Sequence, residues 1–600
     1  MTIESVGSLR AHLQTAVELE HSTLPPYLCA LYSLDADRNM HAADVLESVV
    51  LEEMLHLTLA ANLLNAVGGR PVLDSPDLLP AHPTFLPHSN RSVRLSLRPF
   101  SRETVEGFLA IERPTDDDGP AQDEEYATIG QFYMAIDEAL LRLCDDVGEA
   151  RLFSGDPARQ VTDALYYGGA GRIIAVTDLA SARHALLEIV EQGEGLDHGS
   201  IFDGDKDMFH PDRDEVGHYF RFQELLLGRK WVAGDTPSSG PSGDPVAVDW
   251  SAVAPMRVDP RVADFPASSP ARAATEAFNI SYCTVLQLLE RTFDGVPTLL
   301  AIATGAMYGL KQQMIELIRL DSGDGRTTAG PSFEWVAPER RHFPDTHLFV
   351  VPHGPYLVRG AIDVFDAHGE RRVSDGICVL CRCGGSRTKP FCDGTHNRIG
   401  FDGTESADHR PMSERRHAYP TPDGVTIYDD RTRCAHFGQC TDRLPRAFGV
   451  AEDAFVDPTA APSTQLTDVV AGCPSGALTY APAGATEPTE TPAGTAIHPI
   501  VDGPYRVSGA TVVGVDKQPY EARERQTLCR CGNSRNKPFC DGSHWYAGFR
   551  DPLPAELEHV TTFPWNEPGA AERGREHYAR DQARKRELAD TSLPRPAESS

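Results

Sequence analysis

The chain has 600 residues, enough for several hydrophobic cores, so stability does not require disulfide staples. Its 56 basic and 87 acidic residues leave a formal net charge of −31, which argues against a nucleic-acid-binding body and against docking on anionic lipid. The start lacks a basic-then-apolar leader, and the most apolar stretch, Val296–Leu310, is too short and too interrupted to span a bilayer. The expectation is a cytoplasmic protein with no membrane contact.

The first third reads as helical. Leu13, Val17, Glu20, Leu24, Tyr27 and Leu31 recur at three- and four-residue steps, as do Leu46, Val49, Val50, Glu53, His56, Leu57, Ala60 and Leu64, with a stop at Gly68-Gly69. Further helices are expected at 126–144, 181–194, 213–228, 272–293 and 297–320, with a Pro/Ser/Gly-rich loop over Gly234–Pro245. Polar residues inside the apolar stripes carry the chemistry, because carboxylates are rarely buried unless paired or metal-bound. Glu20 continues the first stripe, and Glu53 with His56 continues the second. Glu191 offers a third carboxylate, and Glu215-Val-Gly-His218 repeats the Glu-x-x-His spacing. Six ligands in that order suit a carboxylate-bridged pair of irons in a helical bundle. The plainer reading is a bundle with solvent-facing acids and two capped histidines.

The segments Leu19–Tyr27, Glu53–His56, Asn62–Gly69, Thr128–Tyr133 and His218–Phe222 resemble the ferritin-like domain family, of the type that occurs at one end of the violacein iminopyruvate-coupling enzyme. The resemblance runs to about Phe333 and implies fold more than reaction. Gln131 stands where that family commonly has an acid, so either Glu125 or Glu191 supplies the bridging carboxylate, or the site holds a single metal.

After about residue 340 short β-prone runs alternate with Gly, Pro and Asp turns, and ten of the thirteen cysteines fall between Cys378 and Cys540. In a reducing compartment such a cluster reads as metal ligation before disulfides. One module occurs twice. Gly354-Pro355-Tyr356 returns as Gly503-Pro504-Tyr505, and Cys381-x-Cys383-x8-Cys392-x3-His396 returns as Cys529-x-Cys531-x8-Cys540-x3-His544. Soft thiolates suit zinc or iron–sulfur clusters, but zinc sites usually space paired cysteines by two to four residues. The full string, ending Cys-Asp-Gly-(Ser/Thr)-His, resembles the CDGSH-type iron–sulfur proteins. That resemblance implies one 2Fe–2S cluster on Cys381, Cys383, Cys392 and His396 and another on Cys529, Cys531, Cys540 and His544, with Cys378 a bystander. One neutral imidazole in place of a thiolate raises a cluster's potential, and its protonation loosens the cluster. Two such modules in one chain can pair as a pseudo-dimer.

Between the repeats lie Cys434-Ala-His436-Phe-Gly-Gln-Cys440 and Cys473-Pro474-Ser475-Gly476-Ala477-Leu478. A Cys followed by Pro closes many ferredoxin sites. The segment resembles divergent single-cluster ferredoxin domains. With three cysteines, Cys434, Cys440 and Cys473, a 3Fe–4S cluster or a 4Fe–4S cluster with an outside ligand is implied. His436 is either that ligand or a hydrogen-bonding neighbour.

The expected architecture is therefore multidomain: an all-α ferritin-like helical bundle (1–340), a β-rich, loop-rich CDGSH-type module (341–412), an α+β ferredoxin-like module (413–480), a linker (481–497), a second CDGSH-type module (498–565) and a tail (566–600). The expected function is oxidation of a small organic substrate by O2 or peroxide at non-haem iron of one or two ions, supplied by a partner reductase or ferredoxin through the clusters. Arg221 and Tyr219 are candidates to orient the substrate. A redox or iron-stress sensor, or a cluster-transfer protein without turnover, is the alternative, and a homo-oligomer is compatible with either.

Overall fold

The computed structural model describes residues 3–87, 93–114, 126, 128–162, 171–194, 200–206, 213–341, 346–373, 376–449, 454–490 and 494–551. The tail from 566 and Glu125 lie outside these residues. Two compact units divide the chain: Met1–Ala303 with Met307–Arg341, and His342–Ser600 with Thr304–Ala306.

The first unit is helical. Helix α1 (Val6–Ser33) opens with a capping box in which Ser5 Oγ accepts from Ser8 N at 3.1 Å, satisfying one of the orphan donors of the first turn. It packs along α2 (Met40–Ala66), whose end is sealed by Gly68 in the left-handed region (φ +75°), with Gly68 N bonded to Asn65 O. A short hairpin, β1 (Thr84–Phe85) with β2 (Arg94–Leu95), precedes α3 (Arg102–Ile111), α4 (Ile129–Val147) and the one-turn α5 (Glu149–Leu152). Helix α6 (Leu179–Glu194) packs on α2 and α4. The hairpin β3 (Phe202–Lys206) and β4 (Asp214–Val216) leads into α7 (His218–Leu227), followed by α8 (Pro270–Phe293) and α9 (Leu300–Leu317). Leu13, Ala16, Val17, Leu46, Val49, Ala60 and Leu63 form a dry seam between α1 and α2.

Two expectations are corrected. The helix expected over 213–228 starts at His218, because Asp214–Val216 pairs with β3 and Gly217 interrupts the chain between strand and helix. Glu215 and His218 therefore do not share a helical face. Helix α3, absent from the sequence reading, is capped by Ser101 and buries Val105, Phe108 and Ile111.

In the second unit the repeats interlock. The strands are β5 (His347–Val350), β6 (Tyr356–Gly360), β7 (Asp363–Phe365), β8 (Arg371–Val373) and β9 (Gly376–Leu380), with α10 (Thr395–Arg398) after them. The middle module contributes β10 (His417–Pro420), β11 (Thr426–Asp429), α11 (Gln439–Arg443), α12 (Ser463–Ala471) and β12 (Leu478–Ala481). The second repeat contributes β13 (Ala496–Pro499), β14 (Tyr505–Ser508), β15 (Thr511–Val513) and β16 (Gln526–Leu528). One sheet runs β15-β5-β6-β9 and the other β16-β14-β13-β7-β8. Each repeat thus lends a parallel strand to the other's sheet, with Val512 opposite Leu348 and Ile497 opposite Val364. The two modules pair, as the repetition suggested, and do so by sharing strands between their sheets.

The crossing is reciprocal at the side-chain level. Tyr356 Oη donates to the carbonyls of Cys529 (2.8 Å) and Pro538 (2.9 Å), and Tyr505 Oη reaches those of Cys381 (2.9 Å) and Pro390 (2.8 Å). The middle module closes its own core, from Ile427, Ala447, Phe448, Val456, Leu466, Val470 and Leu478, under the three-stranded sheet β10-β11-β12. Among the described residues no helix is long and apolar enough to cross a membrane.

Candidate metal centre and cluster sites

The helical unit brings five acidic and imidazole side chains into one buried site. Glu20 projects from α1, Glu53 and His56 from α2, Glu112 from the C-cap of α3, and His218 from the first position of α7. They fall into two triads, Glu20–Glu53–His56 and Glu53–Glu112–His218, with the ligand atoms of each within 4.8 Å of one another. Glu53 belongs to both. His56 Nδ1 lies 3.5 Å from Glu20 Oε2 and 4.0 Å from Glu53 Oε1, and His218 Nδ1 lies 3.1 Å from Glu53 Oε1 and 3.4 Å from Glu112 Oε2.

The far side of each ligand is fixed. His56 Nε2 meets Gln192 Oε1 at 2.8 Å, and His218 Nε2 meets Glu52 Oε2 at 2.9 Å, so both rings turn Nδ1 inward. Thr23 donates to Glu53 Oε2 at 2.7 Å, while Tyr27 and Tyr133 donate to Glu112 and Glu20. Such outer partners are what orient metal-ligating imidazoles and carboxylates.

Burial shifts the charges here. Burial pushes the Glu20 and Glu53 carboxyls up to about 7, and the neighbouring Glu112 adds to the rise in both. Burial opposes charge on His218 as well, but Glu112, Glu52 and Glu53 together hold it well above the usual imidazole range. Burial lowers His56. His218 Nδ1 is buried and aimed at two carboxylates. Three glutamates and two inward imidazoles form a donor set that suits divalent metal.

Of the six helical-unit residues expected, Glu20, Glu53, His56 and His218 come together, and Glu191 and Glu215 do not. Glu191 is partly exposed, because the buried stripe of α6 runs through Ala185, Leu186, Ile189 and Gln192. Glu215 sits on β4, its Oε1 3.1 Å from Arg221 Nη1. Arg221 is itself buried, and donates to Glu52 (2.9 and 2.5 Å), Ser48 Oγ and Val216 O. It anchors the carboxylate behind His218, and it also lines a recess with Ser48, Glu215 and Glu224. Tyr219 packs with Ile201, Val216, Phe220 and Trp231. Glu112 and Glu52 were missed. The apolar steps Val105–Phe108–Glu112 were a signal for the former, and Glu52 has no signal beyond its adjacency to Glu53.

In each repeat the Cys-x-Cys pair and the Cys-x3-His pair converge. Cys381 and Cys383 Sγ are 3.8 Å apart, and Cys392 Sγ is 3.4 Å from His396 Nδ1. The second repeat matches, at 3.8 Å for Cys529 and Cys531 and 3.3 Å for Cys540 and His544. Backbone N–H groups of Gly385, Gly394, Asn533 and Gly542 approach Cys383, Cys392, Cys531 and Cys540 Sγ at 3.4–3.5 Å. Burial raises Cys392 to about 12, so an uncharged thiol is favoured until a metal takes the thiolate. The two site loops abut, Cys383 and Cys531 forming an antiparallel bridge. Cys378 lies within β9, buried and away from these pairs.

Cys434, His436, Cys440 and Cys473 line one small recess in the middle module. His436 has a left-handed backbone (φ +55°), and its N–H points at Cys434 Sγ at 3.4 Å, while Arg431 Nη2 donates to the same sulfur at 3.1 Å. Burial raises both Cys434 and Cys440. The recess borders the second repeat: the Phe437 ring centroid is 6.4 Å from that of His544 and 6.2 Å from that of Trp545.

These sites place the chain among iron-binding redox proteins. It carries a ferritin-like domain, matched by the family model "Ferritin-like" over residues 13–227, two modules matched by "Iron-binding zinc finger CDGSH type" at 353–397 and 502–545, and a domain matched by "Divergent 4Fe-4S mono-cluster" at 421–483. Over 226 residues it is 27% identical to the 2-imino-3-(indol-3-yl)propanoate dimerase of Chromobacterium violaceum, covering 32% of this chain and 21% of that enzyme. The chain therefore spans about a fifth of that relative's length. A ferritin-like protein from Caulobacter vibrioides, known from its crystal structure, aligns at 21% identity and a TM-score of 0.37, covering 54% of this chain and 97% of that one.

Proposed function

We propose that the chain is a non-haem iron oxidoreductase carrying its own electron relay, which oxidises a small organic molecule with O2 or peroxide. The observation that carries this reading is Glu53, one carboxylate common to two ligand triads. Glu20, Glu53 and His56 would hold one iron, and Glu53, Glu112 and His218 the other. Bound there, a pair of irons supplies one-electron chemistry with positions open to an oxidant. The protein's part is to hold both imidazoles as Nδ1 donors through Gln192 and Glu52, and to surround the pair with side chains that exclude water.

An apolar substrate would have to widen the small recess next to the helices of the site. It is lined by Leu19, Ile111, Ile129 and Phe132, with Tyr126 and Arg113 also on its wall. Leu19 and Ile111 directly precede Glu20 and Glu112 in the chain. The dimerase relative acts on an indolyl imino acid, in keeping with such a lining.

Electrons would enter from an external donor, a reductase or ferredoxin, and pass through two 2Fe–2S clusters and one 3Fe–4S or 4Fe–4S cluster. The Phe437–His544 contact supports a junction between the middle cluster and the second repeat. Anaerobic purification with iron and sulfide analysis, then oxygen uptake after reduction by dithionite, tests the reading. The expected result is oxygen consumption lost in Glu53→Ala; uptake unchanged by that substitution, or no uptake with any reductant, would overturn it.

A further inference from the structure

Arg382 and Arg530 occupy matching places between the paired cysteines of the two repeats, both buried. Each donates through Nε to a glycine carbonyl, Gly354 at 2.7 Å or Gly503 at 2.6 Å, and through Nη2 to Val351 O at 2.9 Å or Ile500 O at 2.6 Å. Each lies over a Tyr and a Phe ring, Tyr356 with Phe401 and Tyr505 with Phe549. There the match ends. Arg530 Nη1 donates to Asp551 Oδ1 at 2.9 Å, and Nη2 meets Oδ2 of the same buried carboxylate. At the equivalent position, two residues past Phe401, the first repeat has Gly403. Among the described residues Arg382 Nη1 is buried with no hydrogen-bond partner, and a Cβ on Gly403 would lie 2.1 Å from Arg382 Nη2.

The charges on the site loops repeat; outside them, buried Arg433 of the middle module, next to Cys434, lies over Phe539 of the second repeat. Asp393 and Asp541 accept the same loop N–H groups, and Lys389 and Lys537 cap the carbonyls of Ser386 and Ser534. At the rim His353–Asp402 answers Asp502–Arg550, but Asp402 is 78% exposed and screened by water. The middle module's cysteine recess also borders His544, which adds sulfide and thiolate charge beside the second repeat.

We propose that the two repeats are electronically unequal: the first, with its uncompensated Arg382, holds the higher-potential cluster, and an electron delivered to the second repeat comes to rest on the first. This rests on the reading that both repeats hold 2Fe–2S clusters. A reduced cluster carries one more negative charge, which a buried unpaired cation stabilises and a neutralised one does not. In the transfer, the cluster on Cys529, Cys531, Cys540 and His544 loses one electron and that on Cys381, Cys383, Cys392 and His396 gains it. No bond or proton changes hands, and the electron is replaced by an external one-electron donor.

A redox titration of the anaerobically purified full chain, followed by visible absorption and EPR, tests this after iron and sulfide content has established both clusters. Two one-electron waves are expected, with at least a tenfold bias in occupancy toward the first repeat, about 59 mV. His396→Cys and His544→Cys assign the waves, since each moves only its own. Asp551→Asn, which keeps the shape of the side chain, raises the lower wave and narrows the gap, and Gly403→Asp narrows it by lowering the upper one. Coincident waves, a second repeat titrating above the first, or a gap that Asp551→Asn leaves unchanged would overturn the proposal. A colourless chain containing zinc and no sulfide would instead bring down the cluster reading, and the inference with it.

Discussion

Cys381, Cys383, Cys392 and His396 lie within sixteen residues, whereas Glu20, Glu53, His56, Glu112 and His218 come from four helices spread over about 200 residues. The sulfur site is set by one loop and its neighbouring strands. The acidic site exists only once the bundle has packed, and each of its ligands is aimed by a partner from yet another element. The helical unit thus draws its ligands from across the bundle, whereas each repeat draws them from one loop, braced by Tyr505 or Tyr356 of the other repeat.

The strongest way to break this comparison is Glu53→Ala set against Cys392→Ser. The first should empty the helical unit of iron and leave cluster absorbance intact; the second should remove one cluster's iron and sulfide and leave the helical metal. Metal analysis with visible spectra would refute the separation if either substitution emptied both. Next comes Glu52→Ala, which leaves the buried Arg221 without its closest carboxylate. Removing one partner of a buried pair costs about 3–5 kcal/mol, readable in urea unfolding of the helical unit. A loss under about 1 kcal/mol would show that Glu215 and Asp203 suffice.

The pH dependence sharpens the comparison further. In the metal-free chain Glu20 and Glu53 titrate near 7 when folded, above the ordinary carboxyl value of 4.5, so the folded state binds the extra protons between the two values. Stability of the metal-free helical unit should therefore fall as pH rises from about 4.5 to 7. Added Mn(II) or Fe(II) should reverse that slope, because the metal replaces the protons. Thermal melts at pH 5 and 7.5 with and without metal would show it; parallel melts would count against a shared site. The smallest effect belongs to Gln192→Ala, which should weaken metal binding about 10–100-fold, whereas Glu191→Gln should change nothing measurable.

The same contrast explains what was legible in the chain. The cysteine ligands could be read because their spacing is the site. Glu20, Glu53, His56 and His218 stood out as polar residues where apolar ones should be. Glu191 was chosen one position early: the stripe Leu186–Ile189–Gln192 points to Gln192, an outer partner whose amide carries no metal-ligand signature. The Glu-x-x-His spacing of Glu215 and His218 is not helical, because Gly217 ends the strand before the helix begins. Glu112 follows α3 as its cap, and caps break the periodicity on which such a search relies. The shared sheets were invisible beyond the repetition itself, since pairing of β5 with β15 and of β7 with β13 joins segments well over a hundred residues apart.

That exchange of strands constrains biosynthesis. While the ribosome has yet to release residues 496–513, β5 and β7 each present a bare backbone edge, the kind of template on which nascent chains stick to one another. A product that stops short of β13 would carry a complete set of first-repeat ligands on an unfinished scaffold. Iron delivered at that moment would meet the right side chains in a body without its final walls, so loading of the first repeat belongs after translation is finished.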